Sequence, residues 1–122
     1  MITIKRAYEP REPGDGYRVL VERLWPRGLS KERAAVDLWL KEVAPSQELR
    51  RWFGHRAQRW AEFRRRYRDE LRERPGELLE LRELALRGPL TLVYGSRDEA
   101  HNAAAVLKEL LDEEAGGAAA AA

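Results

Sequence analysis

Apolar residues recur along this chain with two different periods, and the switches between them mark its elements. Ile2 to Lys5 alternates apolar and polar and reads as a short first strand. Tyr17 to Leu29, YRVLVERLWPRGL, also opens as a strand. Val19 and Val21 fall on one face of it, with Leu20, Glu22 and Leu24 on the other. The unbroken run Val19-Leu20-Val21 suits a strand covered on both faces, as in a parallel sheet. Pro26 cannot donate to a ladder and Gly28 tolerates unusual dihedrals, so the strand ends before them. Val36 to Leu40 alternates as a third strand, with a helical continuation as the alternative, and Leu90 to Tyr94 forms a fourth.

The helical period appears between these strands. Ser30 caps a short helix over Lys31 to Ala35, and Ser46 caps another that carries Leu49, Trp52 and Phe53 and stops at Gly54. From Arg56 to about Glu73, Trp60, Phe63, Tyr67 and Leu71 fall at spacings of three and four, an apolar stripe on a charged rod. Pro75 opens a further helix that Gly88 and Pro89 close. Gly95 then turns the chain, and Ser96 with Glu99 reads as a capping box for a last helix, Arg97 to about Glu114. Strands alternating with helices predict an α/β fold, a small three-layer single domain over residues 1–115 with a mainly parallel sheet of about four strands. Residues 116–122, Gly-Gly and then alanines, are expected to be a disordered or frayed tail.

Composition narrows the chemistry. The chain has 23 basic and 21 acidic residues, so its dense charge nearly balances. It has no cysteine, which removes disulfides, thiolate metal sites and a cysteine nucleophile. Met1 is followed by no apolar targeting run, and no later apolar run approaches membrane-spanning length, so a cytoplasmic setting without membrane contact is the default.

In a parallel sheet the carboxyl ends of the strands share one edge, the usual place for ligands in open α/β folds. That edge would gather Arg6, Arg23 to Arg27, Lys41-Glu42 and Gly95-Ser96. Arginine forks suit phosphate or carboxylate, Lys41 adds a point charge, and amides at the start of the last helix favour anions. Taken singly, each arginine is equally at home as a solvated side chain. Trp25, in a charged loop, either stacks on a flat ligand or plugs the edge of the core, whereas Trp52 and Trp60 belong to the core. Glu42 and His101 are the candidates for proton transfer, Glu42 opposed by the adjacent Lys41, and His101 satisfiable by backbone alone. His55 and His101 have no metal-ligand spacing, and nothing in the spacing supports haem, so no metal or cofactor is assigned. The run Arg64 to Arg68 is followed by acidic residues and reads as a solvated face rather than a nucleic-acid patch.

The segments DGYRVLVERLWPRGLSKE, LWLKEVAPSQELRRWF, WAEFRRRY and LTLVYGSRDEAHNAAAVL, in that order, resemble the YeaO-like family of small bacterial proteins, a domain of unknown function numbered 488. The resemblance runs from Ile4 to about Leu111, and its most specific pieces are RLWPRG and KEVAPS. It implies a compact α/β fold and no particular reaction, substrate or cofactor. The family pattern matches Arg23, Trp25, Arg27, Lys41, Glu42, Ser46, Arg50, Tyr94 and Asn102, which adds Ser46, Arg50 and Asn102 to the candidate ligand residues beside Ser96. The expectation is an anion site for phosphate, nucleotide or carboxylate, with or without enzymatic activity. The alternatives are a nucleic-acid binding module and a non-enzymatic interaction protein. Oligomeric state is not legible.

Overall fold

A computed structural model describes the chain over residues 1–121, with side chains through Glu114. The strands are β1 (Ile2–Arg6), β2 (Tyr17–Leu20), β3 (Leu38–Trp39) and β4 (Leu90–Tyr94). The helices are α1 (Lys31–Ala34), α2 (Gln47–Phe53), α3 (Trp60–Arg72), α4 (Pro75–Arg87) and α5 (Ala103–Ala121). The side chains of the Gly/Ala stretch expected to form a tail lie outside the described residues, as does Ala122 altogether.

All pairings in the four-stranded sheet are parallel, in the order β1-β4-β2-β3. The last strand of the sequence therefore lies between the first two, with Leu90 opposite both Ile2 and Tyr17. Every residue of β4 is buried, four of them apolar and the fifth, Thr91, satisfied by a hydrogen bond to the Asp15 carbonyl. β2 closes at Leu20, earlier than the apolar run suggests. Val21 still donates to the carbonyl of Val93, and the chain then leaves the sheet through Glu22 and the Pro26 loop.

The two faces of the sheet are unlike. On one, α2, α3, α4 and α5 press Leu49, Phe63, Tyr67, Leu81 and Leu107 onto Val19, Val21, Leu90 and Leu92, forming the main core. Each fully buried side chain of this size stabilises the fold by about 1.5–3 kcal/mol. Tyr67 lies wholly inside and donates its hydroxyl to the Val43 carbonyl at 2.6 Å, and burial pushes its pKa up. The other face is covered by α1, the loop after β2 and the β1–β2 connection, with Ala7, Leu20, Leu29, Ala34 and Val93 in a smaller cluster.

That thin side is part polar. Arg18, fully buried in β2, donates to Asp15 Oδ2 at 2.7 Å and to the carbonyl of Ala34 at 2.9 Å. Lys5 reaches the same carboxylate at 3.2 Å, and Thr91 donates to the Asp15 carbonyl at 2.8 Å. An ion cluster fills the space on this side, its charges paired although Arg18 Nε is buried without a hydrogen-bond partner among the described residues.

Several sequence expectations for the helices hold. Ser30 and Ser46 each accept from the third amide of their helix, and Gly54 closes α2 in the left-handed region at φ 52°. The last helix differs. It begins at Ala103, not Arg97, and its cap is Asn102, whose Oδ1 accepts from the Ala105 amide at 2.9 Å. Ser96 instead accepts from the Asp98 amide, and Asp98 Oδ1 from the amides of Ala100 and His101. These Asx and Ser turns compete with the helix and delay its start.

Candidate functional site

Parallel strands deliver their carboxyl ends to one edge, and the chain leaves β2 and β4 there with a mutual tie. Glu22 Oε1 accepts from the Gly95 amide at 2.9 Å, while the carbonyl of Glu22 accepts from Trp39 Nε1 at 2.7 Å. Above this tie lies a hollow of about 350 Å³, walled by the Leu24–Arg27 loop, α2 and the turn before α5. Trp25, Arg27, Arg50, Ser96, His101 and Asn102 all line it. Six of the residues singled out from sequence thus share one cavity, from three separate segments.

The remaining ones go elsewhere. Arg23 and Ser46 line a second cleft, of about 250 Å³, with Tyr67, Glu70 and Arg74. There Ser46 donates its hydroxyl to Glu70 Oε2 at 2.6 Å and its amide to Oε1 at 2.8 Å. Arg23 makes only a long contact, 3.5 Å, to the Pro45 carbonyl. Lys41 sits 4.0 Å over the Trp39 ring, and Glu42 is exposed beside it. Tyr94 is sealed in the sheet, where burial first and the charges of Glu99 and Glu9 next push its pKa up. The single meeting place expected for Arg23, Lys41 and the start of the last helix is therefore two hollows and a surface stack.

Trp25 packs at the edge of the smaller core and also lines the hollow. Its Nε1 donates to the Leu29 carbonyl at 2.6 Å and its ring meets Trp39 edge-on at 5.4 Å. Phe53 and Phe63, stacked at 4.3 Å, supply the opposite apolar wall. Arg27 is exposed and Arg50 half-buried, and among the described residues neither pairs with a carboxylate.

Both histidines reach this hollow. His101 Nδ1 lies 2.9 Å from Asp98 Oδ2, and its ring stands edge-on to Trp60 at 5.1 Å. The amide and ring of His101, with the Ala100 amide, hold the Asp98 carboxyl below its ordinary pKa. His55 follows Gly54 with a positive φ of 57°, so two successive left-handed residues turn the chain toward the cavity. Sequence reasoning did not single out Asp98. Its signal was the spacing to His101, one helical turn in a region read as helix.

The arginine run is spent on ion pairs. Arg64 grips Glu109 with two bonds at 2.6 and 2.7 Å, Arg68 pairs with Glu113, and Arg65 and Arg66 share Glu62. Among the described residues, no helix is long and apolar enough to cross a membrane, and no three metal-ligating side chains gather.

The fold is that of a small α/β domain with a parallel sheet. Residues 1–121 match the family described as "Inactive DUF488-N3 subclade", and the chain is a member of it. It is 45% identical over 111 residues to uncharacterised proteins of Mycobacterium bovis and Mycobacterium tuberculosis, covering 91% of this chain and 93% of theirs. Over 110 residues it is 44% identical to the uncharacterised protein YeaO of Escherichia coli K12, covering 90% of this chain and 96% of that one. No solved structure matches it.

Proposed function

We propose that this chain is a binding protein for a small organic anion, seated in the hollow at the carboxyl edge of the sheet and held without turnover. The observation behind this is that Arg27 and Arg50 line one cavity from separate segments while, among the described residues, neither pairs with a carboxylate. Guanidinium forks left in that state recognise an anion through paired, charge-assisted bonds. Trp25 supplies a flat apolar surface beside them. The description of the family as inactive supports binding rather than catalysis. The pairing of the α3 arginines with Glu62, Glu109 and Glu113 argues against nucleic acid as the partner. The cytoplasm is the setting we propose, on the sequence alone.

One observation favours a second reading, acid–base catalysis. Asp98 holds the Nδ1 side of His101 at the cavity wall, the arrangement that orients an imidazole for proton transfer.

A thermal-shift screen of the whole protein against nucleotides, phosphosugars and carboxylates tests the first reading. An anion that raises Tm in the wild type and not in Arg50→Ala supports it; no stabilisation by any anion sinks it. Turnover of a stabilising ligand that disappears in His101→Gln would establish the second reading in its place.

A further inference from the structure

Resting on the anion-site reading, we infer that the hollow takes a small aromatic monocarboxylate and discriminates against phosphate esters. Three features of the cavity carry this.

The first is the apolar lining. Trp25 is fixed in place by its bond to the Leu29 carbonyl, and Phe53 and Phe63 are locked in a stack across from it. Pro26 and Pro45 add rigid apolar surface between them. A ring placed there gains contact with walls that are already ordered, so little side-chain freedom is lost on binding.

The second is size. At about 350 Å³ the cavity is near the small end of ligand pockets, which span roughly 300–1,000 Å³. A one- or two-ring acid fits that volume, whereas a nucleotide would fill or exceed it.

The third is the state of the backbone amides. Phosphate cradles are built from free N–H groups at a turn or helix start. Here the Gly95 amide already donates to the Glu22 carboxylate, those of Ala100 and His101 to Asp98, and that of Ala105 to Asn102. The protein's own carboxylates thus already engage the Gly95, Ala100 and His101 amides. Glu22 also lines the cavity, so with Arg27 and Arg50 the formal charge of these three side chains is a single positive one, which a monoanion neutralises and a dianion exceeds. The two guanidinium groups offer an incoming anion a fork that matches a planar carboxylate.

The test is a titration of the full chain with three matched probes, benzoate, phenyl phosphate and benzamide, at constant ionic strength. Binding is read from tryptophan fluorescence and from the indole N–H resonance of Trp25, assigned with Trp25→Phe. Benzoate is expected to shift the Trp25 resonance and to bind at least about tenfold more tightly than either other probe. That preference should vanish in Arg50→Gln and in Arg27→Gln. Arg27 is exposed and its side chain forms no ion pair among the described residues, so its variant remains informative if Arg50→Gln unfolds. Phenyl phosphate binding as tightly as benzoate overturns the carboxylate assignment and leaves an anion site standing. Benzamide binding as tightly as benzoate, or benzoate binding untouched by both arginine variants, overturns the anion site and the inference together. Silence of all three probes does the same for this ligand class.

Discussion

Arg18 Nη1 donates to Asp15 Oδ2 at 2.7 Å, and neither side chain has more than a sliver of contact with water. Removing the acid leaves a buried guanidinium with its principal partner gone, which typically costs about 3–5 kcal/mol. Asp15→Asn is expected to lower the urea midpoint by that order, while Arg18→Met, which removes the charge and fills the space, should cost less.

The same pair sets an acid limit. Burial alone would raise the Asp15 carboxyl, but the Glu12 amide, Arg18 and Lys5 outweigh it and hold the pKa below the ordinary value. A depressed folded pKa contributes stability that is present above the unfolded value, about 3.9, and is lost as pH falls through the folded one. Unfolding free energy should therefore drop below about pH 4, with a shallower slope in Asp15→Asn; equal slopes in denaturant titrations across that range would contradict it.

Gly16 has φ 64°, and a Cβ there would be driven into the carbonyl of Pro89, just before the central strand. Positive φ and a backbone clash add, so Gly16→Ala should destabilise by about 3 kcal/mol or more. Gly28, also at positive φ but with open space around it, should lose only about 1 kcal/mol on the same change, and paired thermal melts compare the two.

Ser46 joins two helices. It caps α2 through the Leu49 amide and donates to Glu70 of α3. Ser46→Ala should cost about 1–2 kcal/mol, with Ser46→Asp worse than its good capping propensity implies because it would face Glu70. Chemical denaturation of both variants checks the order.

The ion pairs between α3 and α5 should matter far less than their number suggests. Arg64 and Glu109 are each about two-fifths exposed, so Glu109→Gln is expected to change stability by less than about 1 kcal/mol. Insensitivity of Tm to added salt would agree; a large loss on this substitution would show that the pair is screened from solvent.

Much of the architecture was legible because period and punctuation agreed. LTLVY between Pro89 and Gly95 is a strand at both of its ends, and Ser46 to Gly54 is a helix cap to cap. The site was only half legible. A parallel sheet correctly brings Arg27 and Ser96 to one edge, but the direction in which a side chain leaves a loop is set by tertiary contacts. Arg23 turns toward Glu70 and Tyr67, and Lys41 settles on Trp39. Arg18 gave no warning because a lone arginine in a strand looks solvent-facing until its partners, Asp15 and the Ala34 carbonyl, are folded over it. The start of α5 was misjudged because Asp98 bends the chain by its own side chain, an effect invisible to a capping pattern centred on Ser96.

The position of β4 carries a consequence for how this chain is made. During synthesis β1 and β2 leave the ribosome early, yet neither touches the other; each waits for a seam that closes only when residues 90–94 arrive. A chain truncated at Gly88 is therefore expected to leave both edges open and to stay sensitive to protease. Closure of the sheet in this topology depends on β4, however early the other strands are made.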